Sequence, residues 1–209
     1  HPGLFVRFPI LGYGVQGPGS VAPNPQPPTP DPPESLLVWT TTPWTLTANA
    51  AAAVHPDLTY VKVRTRSDGP GDREEILYLV KDRLSVLKGE YEVLEEVPGK
   101  VLDGLRYRGP FDELPAQQGV DHRVVLWDEV SAGEGTGIVH TAPGAGKEDF
   151  AVGKEEGLSV IAPLDEFGVF VEGFDWLTGK SVFEVNEPIY DSLREKGLFY
   201  RVERYPHRY

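Results

Sequence analysis

The sequence predicts an α+β, β-rich fold: a barrel-like mixed sheet with peripheral helices. Three observations predict it. Runs of five to seven apolar or alternating residues recur along the chain, separated by Gly, Pro and Asp. Helical periodicity is scarce, with one clearly amphipathic stretch. No internal repeat is present, which argues against a solenoid or propeller. Many short strands with few helices are accommodated by a curled sheet carrying helices on its outside.

The first segment, residues 4–11 (LFVRFPIL), is rich in aromatic and β-branched residues and reads as a strand. Residues 12–35 break all periodicity. Eight of the twenty prolines fall between Pro18 and Pro33, so this stretch favours extended geometry and is expected as a flexible surface insertion. Strands are then expected at 36–41, 51–55, 59–65, 76–81, 90–97, 123–127 and 136–141, with a last one at 198–203. Short helices are expected at 82–88 and 147–156, the second stopped by Gly157. Over 181–196, Val182, Val185, Ile189 and Leu193 recur about one turn apart, and Gly197 ends the pattern. Pro188 lies inside that stretch and predicts a kink or a late start.

Composition narrows the function classes. The 209 residues suit one large domain, and nine Phe, nine Tyr and four Trp can fill its core. The chain has no Met, and His1-Pro2-Gly3 begins no signal-peptide pattern, as expected of a segment of a longer protein. No apolar run approaches the ~18 residues of a membrane span, so no membrane partner is expected. Without Cys there is neither a disulfide nor a thiolate metal site, which suits a cytoplasmic location. The five histidines (His1, His55, His122, His140, His207) show no metal-ligand spacing; no metal and no cofactor are expected. A formal charge of −12 disfavours an autonomous nucleic-acid binder, because such affinity comes from neutralising phosphates.

Two segments can carry chemistry. In Trp39-Thr40-Thr41-Thr42-Pro43-Trp44-Thr45-Leu46-Thr47-Ala48-Asn49, three threonines end a strand that proline then forbids from continuing. Hydroxyls and freed backbone N–H groups at that end can bind a ribose or a carbonyl oxygen. Thr is equally an ordinary strand residue, and Pro43 an ordinary turn. The second segment, Gly135-Thr136-Gly137-Ile138-Val139-His140-Thr141-Ala142-Pro143-Gly144-Ala145-Gly146-Lys147-Glu148-Asp149-Phe150, reads as strand, glycine loop and helix start. It places His140 at the strand end and Asp149 in the first helical turn. There the helix dipole favours a carboxylate whatever its role, and His140 can as well be a half-buried, hydrogen-bonded imidazole. The loop is not a phosphate-binding P-loop, since its spacing is wrong and no Ser or Thr follows Lys147.

Together these segments resemble the editing (CP1) domain of isoleucyl-tRNA synthetases, in the class I aminoacyl-tRNA synthetase family. WTTTPWTLTANAAAAVHPD is similar to that domain's threonine-rich block and GTGIVHTAPGAGKEDF to its second signature. Their order and separation also match. VPGKVLDGLRYRGPF and RVVLWDEVSAGEGTG are similar to the family's connecting strands. Thr42-Pro43-Trp44 resembles the isoleucyl form; the valyl and leucyl relatives typically carry Arg-Pro after two threonines. Two positions depart from the pattern: Thr47 replaces a usual Pro, and Ala145 replaces a frequent His.

The resemblance implies a single editing domain over 1–209, with 1–11 and 198–209 as boundary strands toward a catalytic domain. It implies hydrolysis of valine misattached to tRNA(Ile), with valyl-adenylate the other candidate substrate. It implies catalytic roles for Thr42, His140 and Asp149. It implies substrate binding by Trp39, Thr40, Thr41, Thr42, Asn49, His140 and Asp149, with Asp149 pairing with the α-ammonium and His140 limiting side-chain size. The implied partner is the 3′-end of tRNA(Ile) carrying valine, delivered by the parent synthetase to a monomeric domain. The synthetase's own ATP-binding signatures are absent, so no ligase activity is expected of this segment. Three other readings remain: a valyl-type domain clearing threonine, a non-catalytic module for the tRNA end, and a purely structural β domain in which both segments are core and turn residues.

Overall fold

The computed structural model describes residues 2–12, 30–66 and 71–204. Most of the proline-rich segment lies outside the described residues, as does 205–209 of the closing boundary strand. Among the described residues nine strands form one mixed sheet: β1 Gly3–Pro9, β2 Glu34–Thr40, β3 Ala51–Val54, β4 Thr59–Arg66, β5 Glu74–Val80, β6 Tyr91–Pro98, β7 Arg123–Leu126, β8 Ile138–Thr141 and β9 Phe199–Glu203. The α+β, β-rich expectation holds: the sheet curls into a half-barrel and few helices accompany it.

The curl originates at β2. One edge of β2 pairs antiparallel with β1 from Ser35 to Thr40. Its other edge is shared. Residues Glu34 to Leu36 pair in parallel with β5, and Trp39 pairs in parallel with Val139 of β8. Two branches therefore leave one strand, β5–β4–β6 and β8–β3–β7. A backbone bond from Val80 N–H to the Thr136 carbonyl joins them where they diverge. On the far side β9 pairs with β1, and Gly3 lies opposite Glu203.

Strand alternation sorts side chains onto two faces, and both are buried over β1 and β2. Leu4, Val6, Phe8, Leu36 and Val38 join the largest apolar cluster. Phe5 and Leu37 join a second with Val61, Val63, Leu77 and Leu79. Continuous apolar runs in the sequence thus have a simple cause: neither face meets water. Alanines at 51 to 53 let β3 sit between β8 and β7 with no exposed side chain.

Among the described residues two α-helices pack outside. Helix α1, Lys147–Glu156, ends at Gly157, whose φ of 67° is the left-handed cap conformation. It sets Val152 against Ala51, Ala53 and Val125. Helix α2, Asn186–Glu195, begins late, so that Pro188 falls in its first turn, where no intrahelical N–H is needed. Its Ile189 and Leu193, with Val185 just before, enter the largest cluster. The helix expected at 82–88 is a 3-10 segment, Lys81–Val86, broken by the non-helical backbone of Arg83. A further 3-10 turn, Pro43–Ala48, follows β2 and is not anticipated by periodicity.

The loop from β8 to α1 is pressed onto the chain that follows α1. A β-carbon on Gly144 would overlap the Ile161 carbonyl, which is backbone and cannot turn aside. Gly146, with an extended φ of −153°, has only ordinary contacts there, the nearest at 3.7 Å. Gly144→Ala is therefore expected to cost about 1–3 kcal/mol by overpacking, and Gly146→Ala less than about 0.5 kcal/mol. Urea denaturation of both variants checks this, and equal midpoints would show that the Gly144 approach is not tight.

Candidate functional site

The end of β2 and the end of β8 lie side by side, and this brings the two signature segments together. Thr40 and His140 share the face of the sheet that carries Val38 and Ile138. After Thr40 the chain turns: the Thr42 N–H donates to Thr40 Oγ1 at 3.1 Å. Pro43 opens the 3-10 turn, where its missing N–H costs nothing. That turn carries Thr45 and Asn49 inward.

His140 is their meeting point. Its Nε2 lies 2.6 Å from Thr45 Oγ1, across 95 residues of sequence, and its Nδ1 lies 3.1 Å from Asn49 Nδ2. Asn49 also donates to the Ala51 carbonyl at 3.0 Å, and Thr45 donates to the Thr42 carbonyl at 2.7 Å. With 7% of its surface exposed, His140 is neutral at physiological pH: burial lowers its pKa from 6.5 to about 4. Both ring nitrogens are engaged within the protein, so the ring can offer a ligand its shape but not a proton.

The other expected residues divide. Thr41 is exposed and Thr42 half-buried, beside the turn. Asp149, in the first turn of α1, accepts from the Ala142 N–H at 3.0 Å through Oδ2. Burial raises its carboxyl pKa, against the pull of that N–H. A cation placed at Asp149 would favour its charged form. An open concavity of about 630 Å³ is lined by residues 143 to 147 and the half-exposed Phe150, and Asp149 is not part of its lining. Asn49 has no exposed surface, and Trp39 is not brought to the cluster at all. Trp39 projects from the opposite face of β2, packed with Phe5 and Leu37 and against Gly3 and Gly135.

Sequence reasoning passed over four residues that build this site. Thr45 sits in the first segment but was not singled out. Tyr107 donates to Asn49 Oδ1 at 2.7 Å. Gln117 donates to the main-chain carbonyls of Thr47 and Asn49 at 2.7 and 3.1 Å, and His122 reaches the Asn49 carbonyl at 3.0 Å. The departure at Thr47 has a local explanation: its hydroxyl donates to the Trp44 carbonyl at 2.7 Å and closes the 3-10 turn. A second cavity, about 600 Å³, lies between β1, β9 and the chain before β2, and none of the expected site residues lines it. Among the described residues no group of His, Asp and Glu could hold a metal ion, and no helix is long and apolar enough to cross a membrane.

No family model matches the chain. Over its whole length it is 43% identical to the isoleucine–tRNA ligase of Methanothermobacter marburgensis and 42% identical to that of Pyrococcus abyssi, and it spans 18% of the length of each. Its fold is that of the crystal structure of GlLeuRS-CP1, with a TM-score of 0.72 at 15% identity over 99% of this chain and 100% of that one. The cytosolic leucyl-tRNA synthetase editing domain of P. knowlesi gives a TM-score of 0.63 at 10% identity, covering 97% of this chain and 96% of that one.

Because the folded pKa of His140 is depressed, its contribution to stability is complete above pH 6.5 and is lost as pH falls toward 4. The lowered pKa of His122 acts in the same direction; the raised carboxyls of Asp112 and Asp149 oppose it. Replacing His140 with Gln should therefore flatten the acid side of the stability profile, by about 3 kcal/mol between those limits. Urea midpoints measured across that window provide the check, and a Gln variant whose profile keeps the wild-type slope would show that His140 takes up its proton in the fold.

Proposed function

This chain belongs, as one segment of its members' length, to the isoleucine–tRNA ligase family, and from that premise we propose that it is the family's editing domain, hydrolysing valine misattached to tRNA(Ile). The observation that carries the proposal is the contact of Thr45 with His140, which joins the two signature segments into one polar end of the sheet beside Asp149. The solved editing domains with the same fold support the reading.

The need for such a reaction is a matter of one methylene. Burying it contributes only ~1–3 kcal/mol, a limit for which isoleucine against valine is itself the established example. A second pocket works by exclusion: in a close-packed site an added methylene overlaps neighbours rather than losing a contact. In this proposal His140, fixed through both nitrogens, is a rigid wall of that pocket. Asp149 binds the α-ammonium, the one charge every aminoacyl ester carries. Thr40, Thr41 and Thr42 hold the terminal ribose and the ester, and backbone N–H groups of the turn face the developing oxyanion. Asn49 and Trp39 act from behind, one holding His140 and the other supporting β2. Water attacks the ester carbonyl, the C–O bond to the ribose breaks, and valine and a free hydroxyl leave. An ester needs little more than placement, so no covalent intermediate is required.

The tRNA end is delivered by the rest of the enzyme, since a segment of charge −12 holds RNA weakly by itself. The isolated segment acts as a monomer in the cytoplasm. The paired strands β1 and β9 are where it joins the catalytic part.

In the full-length enzyme, Asp149→Ala should slow deacylation of valyl-tRNA(Ile) by roughly ten- to a hundredfold, as expected for loss of a charge-assisted bond worth roughly 1.5–3 kcal/mol. A wild-type rate in that variant would rule out the ammonium role. Thr42→Trp should block access of valine while leaving aminoacylation with isoleucine intact. Parallel assays on valyl- and threonyl-tRNA separate this function from a threonine-clearing one.

A further inference from the structure

We propose that Tyr107 is a positioning residue for the site, setting through Asn49 which ring nitrogen of His140 carries the proton. The inference deepens the deacylase reading and depends on it only for the expected change in rate.

Tyr107 lies outside both signature segments and is 2% exposed. Its ring stacks on Phe8, with centroids 4.9 Å apart and planes 18° apart, and also touches the His122 ring. Burial raises its pKa far above the ordinary phenol value, so the oxygen keeps its hydrogen. That hydrogen points at Asn49 Oδ1, 2.7 Å away.

Every later link follows from what each group can donate. The Ala51 carbonyl only accepts, so it selects the Asn49 nitrogen, at 3.0 Å, and leaves the amide oxygen facing Tyr107. The second amide hydrogen meets His140 Nδ1 at 3.1 Å, so that nitrogen carries no proton. The proton is then on Nε2, which donates to Thr45 Oγ1 at 2.6 Å. The Thr45 hydroxyl in turn donates to the Thr42 carbonyl at 2.7 Å. Four hydrogen bonds run in one direction, from Tyr107 to the threonine turn. Gln117 and His122 clamp the Asn49 main chain, so the amide can reorient only by rotation of its own side chain.

Without the Tyr107 hydroxyl, Asn49 Oδ1 is buried and unpaired. Rotating the amide would give up the bond to the Ala51 carbonyl and direct the nitrogen to the vacated side, the oxygen to His140, and the ring proton to Nδ1. Nε2 would then accept from Thr45, and the Thr42 carbonyl would keep only the Thr45 N–H, at 3.1 Å. The Tyr107 hydroxyl, by pairing the amide oxygen, thus acts with the Ala51 carbonyl to set the direction of the chain.

Long-range ¹H–¹⁵N spectra of the chain with labelled histidine test this. In the wild type, His140 is expected as a single Nε2–H tautomer; an Nδ1–H tautomer would overturn the proposal without any variant having to fold. Tyr107→Phe keeps the ring and its stacking. It should shift His140 toward Nδ1–H and lower kcat for valyl-tRNA(Ile) deacylation in the full-length enzyme about tenfold, with KM unchanged. Aminoacylation at the wild-type rate reports an intact fold. An unchanged tautomer together with an unchanged kcat overturns the proposal. A wild-type enzyme that does not deacylate at all would defeat the deacylase reading, and the spectra alone would then decide the role of Tyr107.

Discussion

The fold depends on one strand having more neighbours than it has edges. β2 gives one edge wholly to β1 and divides the other between β5 and β8. A flat sheet cannot satisfy that arrangement. The two branches must separate, and the separation supplies the curl. It also fixes the site: only because β5 releases β2 after Leu36 can β8 reach Trp39 and bring His140 beside the threonine turn. The candidate site sits at the fork because that is where strand ends come together.

Buried polarity gives this place its definition. Thr45, Thr47, Asn49, Gln117, His122 and His140 are almost wholly enclosed, and each has hydrogen-bond partners in the fold. In surroundings of low dielectric such groups are costly unless paired, and when paired they admit few alternatives. Rigidity here follows from donor and acceptor accounting as much as from apolar packing. That suits the proposed pocket, whose selectivity would turn on excluding a single methylene.

Legibility in the sequence followed range. β1 and β4 could be read because alternation and β-branched residues are local signals. The late start of α2 was one of two outcomes set by Pro188. The 3-10 turn at Pro43–Ala48 left no trace in periodicity, since it is closed by the hydroxyls of Thr45 and Thr47 folding back on the chain. The fork at β2 is a pairing of distant strands that no window of residues contains. The site divides similarly. Thr42, Asn49, His140 and Asp149 lie in recognisable segments, whereas Tyr107, Gln117 and His122 are isolated polar residues in connecting chain. Their role exists only once β7 and the turns around it close over Asn49. Trp39 marks the reverse case: it belongs to the segment in sequence, but strand alternation turns it to the other side.

The opposition of Gly3 and Glu203 has a consequence for whatever longer chain contains this segment. Backbone entering at Gly3 and leaving at Glu203 does so about one strand spacing apart, roughly 5 Å. A host chain would therefore meet some two hundred residues as if they were a hairpin, because closure entropy depends on how its own flanks are held and the segment's folding has already fixed them. Geometry of this kind lets a whole domain be carried in a surface loop without loosening what carries it.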